Sequence, residues 1–104
     1  MNQRLLFTKV VGVTFEKRQE NISKLTSVSS LFLKREPENK WDPNAIMVFA
    51  NKECTEQIGY ISADLALDFA PAMDKETKYD CFVSQLTGWK DQNKGVNITI
   101  RKLD

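Results

Sequence analysis

Apolar and polar residues alternate in six short segments of this chain, and a period of two is typical of half-buried β-strands. The third segment is apolar on both faces, so we expect it in the centre of a sheet, with the fourth paired back on it. Gly59, inside the fourth segment, predicts a bulge or a close approach of another backbone. The six predicted strands cover residues 5–16, 31–36, 45–49, 57–61, 78–86 and 96–101.

The same pattern predicts few helices. Ser62 is suited to cap a helix over about residues 62–74, in which the apolar residues share one face. Pro71 should kink or end this helix, because it lacks an N–H donor and clashes with the preceding turn. A short helical turn is expected at about residues 20–26. Together these elements predict an all-β to α+β fold, a small and mostly antiparallel sheet or barrel with helices over one end.

Several kinds of chemistry are excluded by the composition. With 104 residues, the chain is long enough for one domain, which we expect to span residues 1–104. It contains no histidine, which excludes a Ser-His-Asp triad, a Cys-His pair and any zinc site with a histidine ligand. There is no glycine-rich phosphate loop, and the acidic residues lack the spacing of a calcium loop. We therefore predict a protein that is not an enzyme and that uses no cofactor and no metal.

Charge is balanced over the whole chain but uneven along it. Fifteen basic and 14 acidic residues leave a net charge of +1, which argues against a polyelectrolyte that coats DNA or membranes. Residues 1–26 and 88–104 are net basic, whereas residues 64–80 are net acidic. If the two termini meet in the fold, they form a basic face; a solvated surface of mixed charge is the alternative.

The sequence also bears on the compartment. The N-terminal segment lacks the small-residue cleavage site of a signal peptide, and no apolar run is long enough to cross a membrane. We therefore expect a cytoplasmic protein without membrane contact. Cys54 and Cys81 are then expected to be free thiols, although they could form one disulfide in an oxidising compartment.

Residues 34–44 form the strongest candidate for a functional loop. They lie between two predicted strands, contain two prolines that stiffen the chain, and have Trp41 near the centre. Trp41 either packs at the rim of the sheet or is presented for stacking on an unpaired base. Asn39 and Asp42 can hydrogen-bond a base edge or a sugar hydroxyl, whereas Asp42 can instead form an Asx turn into the third strand.

Four further residues have two interpretations each. Arg35 could contact a phosphate or form an ion pair with an acidic residue of its own loop. Arg18 could also contact a phosphate, or it could lie in a solvated turn after the first strand. Phe15 and Tyr60 are expected at strand ends, where each is either a core residue or a stacking platform.

Three blocks of this sequence together resemble the HIRAN domain family. They read VVGVTFEKR at residues 10–18, LKREPENKWDPNAI at 33–46 and QIGYI at 57–61, followed by a helix rich in leucine and alanine. The blocks occur in the order and spacing of the family, and the similarity covers about residues 7–86. The central block is the most specific of the three.

This resemblance implies a small six-stranded antiparallel β-barrel of the OB-like or SH3-like kind. HIRAN domains occur in fork-remodelling helicase-like ATPases and as standalone or fused bacterial and phage proteins, and in the eukaryotic remodellers they bind single-stranded DNA and capture its 3′-hydroxyl end. By position, Phe15 and Trp41 match the aromatic residues that contact the terminal bases there. Asn39 and Asp42 match the polar residues around the terminal nucleotide and its hydroxyl.

At three positions the sequence departs from the DNA-binding members of the family. Thr14 stands in place of an arginine, Tyr60 in place of a histidine, and Ala63 in place of a lysine that contacts phosphate. The loss of these cations predicts weaker phosphate binding with a flatter dependence on salt. Arg18, Arg35 and Lys9 are the candidates to compensate for them.

The sequence as a whole thus predicts a non-enzymatic module that binds single-stranded DNA, with the 3′ end as its expected target, in DNA repair or replication-fork processing. A helicase or a nuclease is the expected protein partner. The alternative is a protein–protein adaptor that has kept the barrel and lost DNA binding. An exposed Trp41 beside a positive groove would favour the first function, and a buried Trp41 would favour the second. The expected site residues are Phe15, Arg18, Arg35, Asn39, Trp41, Asp42 and Tyr60.

Overall fold

The computed structural model describes residues 5–88 and 92–103. Within these residues, six strands form one antiparallel sheet in the order β1-β6-β5-β2-β3-β4. The fourth strand pairs back on the third, as the sequence predicts. The elements are β1 (Leu5–Lys9), α1 (Glu16–Ile22), β2 (Ser30–Arg35), β3 (Ile46–Phe49), β4 (Gln57–Tyr60), α2 (Ala63–Asp74), β5 (Tyr79–Thr87) and β6 (Gly95–Lys102).

A change of partner along β2 and a bridge from the segment after β1 to the end of β4 curve this sheet into a half-barrel. Ser30 and Leu31 pair with β5, whereas residues 32–35 pair with β3. Beyond β1, Val11 forms an isolated antiparallel bridge with Tyr60, in which each backbone N–H donates to the other residue's carbonyl at 2.9 Å. The bridge joins opposite edges of the sheet, so the segment that follows β1 is placed beside the end of β4.

The core lies on the concave side of the half-barrel and consists mostly of β-branched residues. Ile46, Ile58 and Ile98 are completely buried, at 0% relative exposure. From α2, Ala66 and Ala70 are buried against this core, and Phe69 on the same helix contacts the ring of Tyr79 edge-on with 4.9 Å between centroids. On the other side, Asn21 of α1 donates a hydrogen bond to the carbonyl of Gln57 at 2.8 Å, which docks this helix on β4.

The predicted first strand, residues 5–16, is wrong at its C-terminal end. β1 ends at Lys9, and the chain turns at Gly12. Gly12 has φ +69°, a backbone conformation that glycine adopts at little cost. The first helix begins earlier than predicted, at Glu16, and ends at Ile22. The alternation of Val11, Val13 and Phe15 resembles a strand, but these residues occupy a bridge, a turn and the position before the helix.

The main helix agrees with its predicted bounds, since α2 covers Ala63–Asp74 after Ser62 at the N-cap position. It does not end at Pro71 but continues for three further residues. Pro71 lies on the exposed side of the helix and has no N–H to donate to the carbonyl of Leu67, four residues earlier. Because Leu67 is also exposed, the missing hydrogen bond does not leave a buried carbonyl unpaired. Among the described residues, no helix has the length and apolar character needed to cross a membrane.

Both cysteines are free thiols. Cys54 is half-buried in the turn between β3 and β4, whereas Cys81 is buried in β5. Burial, with a smaller effect of the Asp80 carboxylate, raises the pKa of the Cys81 thiol to about 12. Cys81 therefore stays protonated at neutral pH and belongs to the core.

Candidate functional site

The loop between β2 and β3 is stiffened by its own polar side chains. The Asn39 side-chain oxygen accepts hydrogen bonds from the backbone N–H groups of Trp41 and Asp42, at 2.8 and 2.9 Å. Asp42 Oδ1 in turn accepts from the N–H of Asn44 at 2.8 Å, which is the predicted Asx turn. These contacts hold the chain so that the Trp41 side chain points away from the protein, with 91% of its surface exposed.

Arg18 lies between two aromatic rings at the start of α1. Its guanidinium carbon is 4.5 Å from the ring centre of Phe15 and 5.2 Å from that of Tyr60, within the range of cation–π attraction. Its Nη1 also donates to the carbonyl of Gly12 at 2.6 Å. Phe15 is 62% exposed, so it is not a core residue. Of its two interpretations, the exposure favours a stacking platform at the surface.

Glu36 joins this cluster to the loop. Its Oε1 accepts hydrogen bonds from Asn39 Nδ2 at 2.5 Å and from the hydroxyl of Tyr60 at 2.8 Å. These two bonds, together with the positive charge of Arg18, hold the pKa of the Glu36 carboxyl below its usual value against the opposing effect of burial. Glu36 is therefore an anion at neutral pH, with its charge next to the phenol of Tyr60.

These side chains surround a surface cavity of about 670 Å³, which we call the aromatic pocket. Its aromatic faces suit a flat ring, and its two cations and two carboxylates suit a ligand that has both charge and hydroxyl groups. Asp42 is absent from the lining. The pocket is lined by Gly12, Phe15, Arg18, Glu36, Glu38, Asn39, Lys40, Trp41 and Tyr60.

Five of the seven residues predicted for the site meet in this pocket, namely Phe15, Arg18, Asn39, Trp41 and Tyr60. The other four lining residues were missed by the sequence reasoning: Gly12, Glu36, Glu38 and Lys40. Glu36 was one of the acidic residues of the loop that could pair with Arg35, and it was not predicted as a site residue. The signal that could have distinguished it is its place before Pro37, because the residue before a proline is held in an extended backbone. Gly12 could have been found as the residue that ends an apparent strand.

Arg35 lies apart from the aromatic pocket, and its guanidinium is engaged inside the protein. It donates to both carboxylate oxygens of Asp74, at 3.0 and 3.3 Å, and to the carbonyls of Ala45 and Pro43, at 2.7 and 2.9 Å. Only 14% of its side chain is exposed. Of its two interpretations, the structure shows Arg35 in an ion pair, and the partner comes from α2 and not from its own loop.

Replacing Arg35 with lysine should destabilise the fold by about 1.5 kcal/mol, because one ammonium cannot make the four hydrogen bonds of the planar guanidinium. Urea unfolding at neutral pH measures the change. Lys34→Arg, at the exposed neighbouring position, is the matched control and should leave stability within about 0.5 kcal/mol. Equal stability of the two variants would show that the contacts of Arg35 contribute nothing net.

Replacing Tyr60 with phenylalanine removes the donor to Glu36 and keeps the ring beside Arg18. We expect a loss of about 1 kcal/mol in the free energy of unfolding at pH 7. Because the pKa of Glu36 is lowered on folding, the contribution of its carboxylate is fully present above its ordinary value of 4.5 and disappears as the pH falls through the lower folded-state value. The difference between the two proteins should therefore shrink in acid.

Thermal unfolding of both proteins between neutral and acidic pH tests this expectation. Tyr79→Phe is the control, since it also removes a phenol hydroxyl while the ring keeps its contact with Phe69. A Tyr60→Phe deficit that stayed constant down to strongly acidic pH would argue against the role of the Glu36 charge.

The fold and the site together define a class: a small β-domain whose curved antiparallel sheet presents an aromatic pocket at one end. The HIRAN domain family model matches residues 3–100, and the chain belongs to this family. The predicted family and the predicted OB-like barrel are both confirmed.

Two solved structures share this fold. The crystal structure of the HIRAN domain of human HLTF superposes with a TM-score of 0.70 at 22% identity, covering 94% of this chain and 74% of that one. The crystal structure of a protein from Lactobacillus plantarum gives a TM-score of 0.72 at 21% identity, covering 98% of this chain and all of that one, at 100%.

In sequence, the chain is similar to a much larger relative. It is 39% identical over 75 residues to a Fanconi-associated nuclease 1 homolog from Oryza sativa subsp. japonica. The matched segment is 71% of this chain but only 7% of that protein. The similarity thus concerns one small segment of the rice protein.

Proposed function

We propose that this chain is a non-enzymatic module that binds single-stranded DNA and holds its 3′-hydroxyl end in the aromatic pocket. The observation that carries the proposal is the placement of Trp41, 91% exposed, beside an exposed Phe15 on a pocket that also contains Arg18. Exposed aromatic rings next to a cation are the usual way to bind unpaired bases without reading their sequence. A tryptophan exposed to this degree on a rigid loop has no role in the packing of the protein.

The electrostatics of the pocket favour a hydroxyl over a phosphate at the strand terminus. Glu36 is held as an anion, and an anion repels a terminal phosphate but accepts a hydrogen bond from a sugar hydroxyl. Its Oε1 already accepts two bonds, and no described residue donates to its Oε2. Asp42, the carboxylate that the family resemblance implies, has Oδ1 engaged in its turn. We assign the hydroxyl contact to Glu36 and keep Asp42 as the alternative.

The family and the relatives support a nucleic-acid ligand. The chain belongs to the HIRAN family, and its rice relative is named as a nuclease homologue, an enzyme class that acts on nucleic acids. A role in DNA repair or at replication forks, with a helicase or nuclease as partner, is the setting that this similarity supports. The exposed Trp41 favours this function over the protein adaptor, for which a buried tryptophan was expected.

Fluorescence anisotropy of labelled oligonucleotides tests the proposal. Two thymidine octamers, one with a 3′-hydroxyl and one with a 3′-phosphate, are compared at low salt with a self-complementary hairpin oligonucleotide that has no free single strand. We expect the 3′-hydroxyl octamer to bind about tenfold more tightly than the 3′-phosphate, which corresponds to about 1.4 kcal/mol. Equal binding of both ends would reduce the function to general single-strand binding, and no binding at micromolar protein would overturn it.

Two variants, each of which replaces one carboxylate with an uncharged amide of the same shape, identify the residue that accepts the hydrogen bond from the 3′-hydroxyl. Glu36→Gln keeps an oxygen for Tyr60 and Asn39, and Asp42→Asn keeps an oxygen for the turn to Asn44. Glu36→Gln should abolish the preference for the 3′-hydroxyl, whereas Asp42→Asn should retain it. The reverse result would transfer the contact to Asp42.

A further inference from the structure

A second surface cavity adjoins the aromatic pocket. It measures about 380 Å³ and shares Gly12 with the pocket, so the two depressions meet at the turn after β1. Lys9 and Lys94 lie in its walls together with Thr14, Asn93 and Asn97, and none of the described residues that line it is acidic. We call this cavity the lysine groove. The lysine groove has a net positive charge, whereas the cations and carboxylates of the aromatic pocket balance each other.

The groove exists because the two basic ends of the chain meet. β1 and β6 are paired, which places Lys9 opposite Asn97. The side chain of Gln19 fixes the remaining wall: it donates to the carbonyls of Val13 and Lys94, at 2.6 and 2.9 Å, and accepts from the N–H of Lys94 at 2.7 Å. One residue of α1 thereby holds the turn after β1 and the start of β6 at a constant separation.

In the turn that lines the groove, two backbone carbonyls are occupied while three backbone N–H donors remain available. The carbonyls of Gly12 and Val13 are occupied by Arg18 and Gln19. In contrast, no described residue accepts a hydrogen bond from the backbone N–H of Gly12, Val13 or Thr14. Among the described side chains, no carboxylate lies within 4.0 Å of the ammonium of Lys9 or Lys94. Free donors and cations without acidic neighbours are what a phosphodiester backbone requires.

We propose that the lysine groove binds the phosphates of the nucleotides that precede the two terminal nucleotides in the aromatic pocket, so that the DNA strand crosses Gly12 from one cavity to the other. This inference rests on the proposed function, because it continues the same bound strand. It assigns Lys9 and Lys94 as phosphate contacts. It also requires a ligand longer than a dinucleotide, since the terminal nucleotides fill the first cavity.

The test compares a thymidine dinucleotide with a thymidine octamer, both with a 3′-hydroxyl, at salt concentrations of about 50 to 200 mM. The variant is Lys9→Gln/Lys94→Gln in the full chain. The control is Lys52→Gln/Lys102→Gln, which removes the same charge from exposed positions outside both cavities. Circular dichroism establishes that both variants are folded.

We expect the groove variant to bind the octamer about tenfold more weakly and to reduce the magnitude of its salt slope by about 1.4, at about 0.7 for each phosphate contact. Its affinity for the dinucleotide should be unchanged, as should both affinities of the control. If the groove variant and the control lost octamer affinity equally, the proposed phosphate contacts would be wrong, and the loss would reflect general attraction between the protein's positive charge and DNA. An unchanged octamer affinity in the groove variant would also overturn it, while binding of the octamer by the unaltered chain would leave the proposed function standing. If the unaltered chain bound neither oligonucleotide, both proposals would fall.

Discussion

Replacing Gly59 with alanine is expected to lower the free energy of unfolding by about 4 kcal/mol, a large part of the roughly 5–15 kcal/mol typical of small domains. Gly59 has φ +157°, a conformation that is essentially restricted to glycine. A Cβ at this position would lie 2.4 Å from the carbonyl oxygen of Val11 and 2.5 Å from Cγ1 of Val10. The first contact is with backbone that forms the closing bridge, so it cannot be relieved by rotating a side chain.

Thermal unfolding measures this effect, and we expect the midpoint to fall by roughly 20 °C. Gly95→Ala is the matched control. Its Cβ would lie 2.5 Å from Oγ1 of Thr87, but that atom is at the end of a side chain that can move, and Gly95 does not have positive φ. The control should lose less than about 1 kcal/mol. Similar midpoints for the two variants would mean that the approach of Val11 to β4 is not what Gly59 permits.

The closure at Gly59 also forms the aromatic pocket. The bridge from Val11 to Tyr60 is followed at once by Gly12, and then by Phe15 and Arg18. Without the bridge, the platform of Phe15 would have no fixed relation to the loop that carries Trp41. Any folded fraction of Gly59→Ala should therefore bind single-stranded DNA more weakly than the unaltered chain.

Local sequence patterns predicted the strands well where a strand is paired with a neighbour on each side. The alternation over residues 96–101 led to β6, and the apolar run at 45–49 led to β3. The same reasoning extended the first strand too far, because the alternation continues through Val13 and Phe15. What ends the strand is non-local: Tyr60 pairs with Val11, and the side chains of α1 engage the carbonyls of the turn.

The site was predicted in composition better than in geometry. The two prolines predicted a stiff loop, but not that Asn39 uses its side-chain oxygen to hold the loop backbone. Arg35 has its acidic partner 39 positions away, in Asp74, a distance over which no local pattern extends. Glu36 acquires its importance from Tyr60, which approaches only when the sheet has closed. Pairings of this kind depend on the fold as a whole.

Replacing Trp41 with alanine should weaken binding of the 3′-hydroxyl octamer about thirtyfold and leave the stability of the protein unchanged. Loss of one stacked base costs about 1–3 kcal/mol, and substitution of a side chain without packing partners usually changes stability by less than about 0.5 kcal/mol. The 91% exposure of Trp41 separates these two effects, since truncation leaves no cavity in the core. Anisotropy titration gives the affinity, and urea unfolding gives the stability.

Phe7→Ala is the control for removing an exposed aromatic ring, because Phe7 is 68% exposed on β1 and lines neither the aromatic pocket nor the lysine groove. It should bind the octamer as the unaltered chain does. Trp41→Phe should recover part of the lost affinity, since a smaller ring can still stack on a base. If Trp41→Ala bound the octamer normally, the exposed tryptophan would not be a stacking platform and the proposed function would lose its main support. If Phe7→Ala were equally impaired, the bound strand would have to extend over β1 as well, because only a ligand in contact with both rings is sensitive to the loss of either.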